Sequence, residues 1–176
     1  MKRAKTLILF SIFITFNLAF IKPNYIEWSS SKKLDFSDFK AKPPAGKTSK
    51  VVELKTIISY EIQQEKGKVP KVKVLNFVDR NASWIKLRKQ SILDIQQIRF
   101  DYSELYVRKA RKEIESMTKK GIKSKDAYIN TITKYANQFE KNQRKRNIAL
   151  DDQPHLIKLS QQSIKDSLEI FKNYAK

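Results

Sequence analysis

Residues 91–119 constrain this chain more than any other stretch, because they hold one helical period for longer than any other run. Ile92, Ile95, Arg99, Tyr102, Tyr106, Ala110, Ile114 and Met117 recur at three- and four-residue spacing, which puts them on one stripe of a long helix. Ser91 with Asp94 three residues on reads as a capping box, since hydroxyl and carboxylate each take a backbone N–H that a first turn leaves unpaired. Gly121 supplies the stop. Arg99 is out of character. A guanidinium within an apolar stripe needs a partner, because an unpaired buried charge costs several kcal/mol.

Ahead of the helix the period changes from helical to alternating. Val52, Leu54, Thr56, Ile58, Tyr60 and Ile62 fall on one face, with Glu53, Lys55, Ser59, Glu61 and Gln63 mostly on the other, the pattern of a half-buried strand. Residues 65–68 make a turn around Gly67, and residues 69–78 return as a hairpin partner. Residues 79–83 read as a second turn and 84–87 as a short third strand. Beyond the long helix, Ile129, Ile132, Ala136 and Phe139 mark a second helix within 126–145. Asp151-Asp152-Gln153-Pro154 opens a third, with Pro154 at the first helical position, followed by a stripe of Ile157, Ile164, Leu168 and Phe171. The expected fold class is α+β: a small antiparallel sheet followed by three helices, without internal repeat.

The N-terminus has a different character. Lys2, Arg3 and Lys5 precede an uncharged apolar run to Ile21, the layout of a secretory signal or an uncleaved anchor over residues 1–21. Residues 22–50 read as an extended arm pinned to the domain by Trp28, Phe36 and Phe39, and residues 51–176 as the domain itself. Export is the expectation. The chain has no cysteine, one histidine (His155) and three glycines, which excludes disulfides, thiolate chemistry, a three-histidine zinc site and glycine-rich phosphate loops. A net charge of +19 is spread along the whole chain without a stacking motif. Nucleic acid is therefore not an expected partner, and the Lys-rich helices read as solvated faces, with attachment to an anionic envelope surface as the alternative. Asn81-Ala82-Ser83 fits a glycosylation acceptor and is read as chance.

Four stretches together resemble one family. Trp28-Ser29, Lys33-Leu34, Asp38-Phe39 and Pro43-Pro44 match its N-terminal arm. Residues 56–60 match its first strand, Ser83-Trp84-Ile85 a later strand, and Phe100-Asp101, Glu104, Arg108 and Arg111 the second half of its long helix. The family is the exported zincin-like domain of Gram-negative bacteria, of unknown function and regarded as a zinc-dependent protease with an HExxHF motif. The resemblance implies a zincin-like fold here, and it implies that motif at Ile95-Gln96-Gln97-Ile98-Arg99-Phe100. Two histidines one turn apart would hold Zn²⁺, with the glutamate between them as general base. In this chain Ile95 and Arg99 stand at the ligand positions and Gln96, which takes no proton at neutral pH, at the base. The family's third ligand falls by spacing near residues 147–153, where Asp151 and Asp152 stand. His155 lies just beyond and reads as a surface residue at a helix start.

The resemblance thus implies a retained fold without zinc chemistry: a catalytically inactive protein, without cofactor, that binds a peptide or protein partner in the cell envelope, in the periplasm or outer envelope of a Gram-negative bacterium. Zincin clefts take a peptide as an added strand along a sheet edge, which needs no metal. The alternative is a hydrolase working through carboxylates, for which Asp101, Glu104 and Glu113 are available on the long helix. Asp101 and Glu104 read more simply as polar residues flanking the stripe, Glu104 paired with Arg108 at i+4. Arg99, Asp151, Asp152 and Glu104 mark the former metal site, with two expectations for Arg99: a bridge to one of the aspartates, or a guanidinium that reaches solvent or pairs locally with Glu104 or Asp101.

Overall fold

A computed structural model describes residues 24–46, 49–151 and 155–175, with the side chains of 145–151 left out. The apolar N-terminal run lies outside the described residues. Strands β1 (Tyr25–Glu27), β2 (Val52–Gln63) and β3 (Lys71–Ile85) are followed by helices α1 (Gln90–Lys119), α2 (Lys125–Asp151) and α3 (His155–Ile170). The three strands form one antiparallel sheet in the order β1-β3-β2. The fold class is therefore α+β, a small antiparallel sheet and then three helices. Among the described residues no helix is long and apolar enough to cross a membrane.

The predicted hairpin forms, pairing Gln63 with Lys71 across Gly67 at φ +74°. The predicted turn at 79–83 does not. Those residues stay within β3 because the strand absorbs them as a bulge: Lys55 pairs with Asp79, and Glu53 with Trp84. The polar residues that suggested a turn instead bond locally. Asp79 Oδ1 accepts the N–H groups of Asn81 and Ala82, and Ser83 Oγ donates to the Asp79 carbonyl at 2.6 Å while accepting from Lys55 N–H at 2.9 Å. The third strand comes from the arm, at Tyr25–Glu27, and not from 84–87. Tyr60, expected on the buried face, is exposed.

The arm packs as well as pairs. Ile26, Leu34 and Phe39 are buried with Leu54, Val78, Ile85, Leu93 and Phe100, and Trp28 and Phe36 are half-buried against them. A second cluster joins Val74 and Ile58 to Val107, Ile114, Tyr128 and Ile132; a third joins Ile95 and Ile98 to Ile157 and Ile164 of α3. Helix α1 therefore lies between the sheet and the other two helices, and it is buried on more than one stripe. Ile98, Phe100, Ser103, Glu104, Val107 and Arg108 are buried beside the predicted positions, whereas Ile92, Arg99, Tyr102 and Met117 are half-buried.

The two ends of α1 are built differently. The capping box does not form. Lys89 is the N-cap and makes no side-chain cap, and Ser91 lies within the helix while Asp94 accepts from Gln90 Nε2 at 2.8 Å. Gly121 does end the helix, at φ +69°, with its N–H on the Thr118 carbonyl and the Ile122 N–H on Met117. A Cβ there would meet nothing within 4 Å, so the left-handed backbone alone opposes substitution. Gly121→Ala is expected to destabilise by about 1–2 kcal/mol in urea unfolding.

Candidate functional site

The degenerate motif positions lie on α1 in apolar and amide surroundings. Ile95 is buried in the cluster with α3. Gln96 is 1% exposed, its Nε2 donating to the Ile92 carbonyl at 3.4 Å. Its Oε1 accepts from Arg99 Nη1 at 2.8 Å, so the guanidinium turns back one turn along its own helix. Asp151 ends α2, but its side chain, like all of Asp152, lies outside the described residues, and so does the expected bridge to Arg99. His155 is exposed at the start of α3, as expected for a surface residue.

These residues do not fit a zinc ion. A hydrocarbon, an amide and a cation occupy the positions where two imidazoles and a carboxylate are needed. Among the described residues no three His, Cys, Asp or Glu side chains come together as a ligand set.

Beside Arg99 lies a depression of about 370 Å³. Its walls are residues 49–54 at the start of β2, Arg99 of α1 and Gln143 of α2. Lys50 and Glu53 form an ion pair on its rim at 2.9 Å. The backbone of β2 continues away from it as a sheet edge, and the register shows which groups that edge presents. Trp28 N–H donates to the Asn76 carbonyl at 2.9 Å, and Arg80 N–H to the Asn24 carbonyl at 2.8 Å, so even-numbered β3 residues turn their backbone groups towards the arm. Their partners on β2 therefore turn theirs away from β3. Opposite Val78, Asn76, Val74 and Val72 stand Thr56, Ile58, Tyr60 and Ile62, whose N–H and C=O groups line the outer edge. No other described strand pairs with that edge.

Compared with known proteins, this chain matches no family model, no curated protein and no solved structure. What the chain does must be read from its own side chains.

Glu104 is the densest polar centre, and it is not part of a site with Arg99. It faces the sheet, 1% exposed, and accepts from Arg111 Nη1 at 2.9 Å, Arg108 Nε at 3.3 Å and Asn76 Nδ2 at 3.4 Å. Asn76 Oδ1 in turn accepts from Ser103 Oγ at 3.0 Å. Arg111 also donates to the carbonyls of Val74 at 2.8 and 3.1 Å and Tyr174 at 3.0 Å, and Arg108 to that of Leu168 at 2.6 Å. Burial pushes the Glu104 carboxyl above its ordinary range, against the opposing pull of Arg111 and then Arg108. The flank position expected for Glu104 is corrected: its pairing with Arg108 holds, but it sits at the centre of the packing.

The other carboxylates of α1 also hold structure. Asp101 Oδ1 accepts from the Trp28 indole and from Gln97 Nε2, each at 2.8 Å, and Gln97 Oε1 accepts the Leu34 N–H at 2.8 Å. Glu113 binds Lys134 of α2 and accepts from Tyr135 Oη at 2.8 Å. Lys134 holds the Glu113 carboxyl below its usual range, while burial and then the bond to Glu113 push the Tyr135 phenol up to about 12. A raised phenol binds its proton more tightly folded than unfolded, so stability falls as pH rises from about 10 towards 12. Tyr135→Phe is expected to flatten that part of the alkaline stability profile and to remove a phenol ionising at about pH 12 from the absorbance titration.

Sequence reasoning missed Asn76, Ser103 and Arg111 as one network. The available signal was Glu104, Arg108 and Arg111 at i, i+4 and i+7, three charges on one helix face.

Proposed function

We propose that this chain is a catalytically inactive, zinc-protease-like protein of the cell envelope that binds a peptide or protein partner as an added strand along β2. The observation that carries this reading is the open β2 edge, which runs from a depression beside the degenerate helix positions. Four residues there present backbone donors and acceptors at the spacing an extended chain needs. The carboxylate-hydrolase reading gains nothing from the geometry, since Asp101, Glu104 and Glu113 are each committed to holding elements together. The zincin-like family, export and the envelope location rest on the motif resemblance and the basic-then-apolar N-terminus.

The test is panning of the full chain against a library of extended peptides. Selected peptides are expected to lose binding when alternate backbone nitrogens are N-methylated, because methylation removes the donors that an edge must receive. Metal analysis of the purified protein is expected to find no stoichiometric zinc, and a general protease assay no cleavage. Tight stoichiometric zinc, or N-methylated peptides that bind as well as their parents, would overturn the reading.

A further inference from the structure

We propose that the strand added along β2 is β2 of a second copy of this chain, paired antiparallel about a two-fold axis at Ile58. This rests on the strand-addition reading above and names its partner.

The edge supplies the first step. Edge strands are ordinarily blunted by shortness, proline, bulges or inward-pointing charges, because an open row of backbone groups recruits other chains. β2 has 12 residues. Over residues 56–62 it contains no proline, and its one charge there, Glu61, alternates with Ile58 and Ile62 and so lies on the face away from the helices. The extra residues of the bulge belong to β3, which leaves β2 regular. Tyr60, on this edge, is 40% exposed. A two-fold contact uses the same patch on both partners, so one pairing covers both edges at once.

Register supplies the second step. The outward-turned backbone groups belong to even-numbered residues, so in self-pairing even must stand opposite even. Two such registers overlap the strand most fully. One is centred on Ile57 and sets Glu53 against Glu61 of the second copy, twice by symmetry. The other is centred on Ile58, joins residues 53–63 of both copies, and sets Lys55 against Glu61 of the second copy, again twice. Opposite charges directly across a strand pair stabilise it and like charges oppose it, so the register at Ile58 is selected. It also lays Tyr60 beside Thr56 and Ile62 beside Leu54 of the second copy. Within a chain of net charge +19, this strand carries one lysine and two glutamates, so the contact itself brings no surplus of cations together.

The experiment is sedimentation velocity of the full chain over roughly 1–100 μM in about 0.15 M salt, which screens the remaining charge beyond about 8 Å. The wild type is expected to show a monomer–dimer equilibrium. Lys55→Glu and Glu61→Lys should each weaken it about tenfold or more, since each turns both symmetric contacts repulsive. The double variant Lys55→Glu with Glu61→Lys should restore it. An equimolar mixture of the two single variants should also dimerise, because each supplies the charges that the other needs. Thermal melts of all the variants confirm that the folded state is the one measured. A dimer that both single variants leave intact, or a loss that neither the double variant nor the mixture restores, would overturn this pairing. A chain that stays monomeric while panned peptides still pair with β2 would overturn self-pairing and leave strand addition standing. A chain that neither dimerises nor binds any peptide would overturn both.

Discussion

Glu104→Ala is expected to cost the fold about 3–5 kcal/mol, the range for breaking a buried ion pair by removing one partner. That is a large share of the roughly 5–15 kcal/mol by which domains are ordinarily stable, so a protein that purifies poorly or melts near room temperature is the expected result. The carboxylate balances Arg108 and Arg111, with side chains 6% and 16% exposed. Without it two cations remain in the packed interior between α1, β3 and the C-terminal segment. The raised Glu104 carboxyl does not contradict this. Burial makes the charged cluster costly to form, and removing one member makes it costlier still. Replacing both arginines with methionine should not rescue the alanine variant, because Arg111 also donates to the carbonyls of Val74 and Tyr174. The pH dependence has a definite sign. A carboxyl whose folded pKa is raised binds more protons folded than unfolded, so its contribution is greatest below the ordinary carboxylate range and is lost as pH rises through the folded value. Against Glu104→Gln, the wild-type advantage should therefore widen as pH falls. Urea unfolding of both proteins between about pH 4 and 7 measures this. An advantage that narrows on acidification would show that the arginines, not burial, dominate the carboxyl.

Much of this architecture was legible in the residues. The alternation of 52–62, the turn at Gly67 and the helical period of 91–119 each depend on local spacing, and each appears where that spacing puts it. The failures share a cause: contacts from residues distant in the chain. Asp79, Asn81 and Ser83 have turn chemistry, but β2 lies alongside and converts the turn into a bulge. Ser91 and Asp94 have capping chemistry, but the chain enters α1 from Lys89. Glu104 looked like a polar flank because a stripe defines only one buried side, and α1 packs against the sheet as well as two helices. The depression was invisible for the same reason. It is made by β2, Arg99 and Gln143, which lie about forty residues or more apart along the chain. Its one sequence signal was Arg99 itself, out of place in an apolar stripe.

Trp28→Ala is expected to detach the arm. β1 has only three residues, too few to hold a segment by backbone pairing alone. The indole supplies much of the rest. It packs against the first core cluster, donates to Asp101 Oδ1 at 2.8 Å, and lies 5.1 Å from the Arg108 guanidinium carbon. The ring thus connects the arm both to the helix surface and to the Glu104 network beneath it. Truncation removes half-buried aromatic area, one hydrogen bond and one cation–π contact, for a loss of about 3 kcal/mol, at the low end for tryptophan because the ring is not fully enclosed. Trp28→Phe keeps most of the area and part of the cation–π contact, and should lose about 1–2 kcal/mol, mainly for the Asp101 bond. Trypsin gives an independent reading, since Lys32, Lys33 and Lys40 lie along the arm. Cleavage there should accelerate in the alanine variant at urea concentrations where α1 still resists, and less so in the phenylalanine variant. A double-mutant cycle of Trp28→Phe with Arg108→Met isolates the ring's coupling to the buried network. Coupling below about 0.3 kcal/mol, with unchanged cleavage in Trp28→Ala, would mean that Ile26, Leu34 and Phe39 hold the arm without the ring.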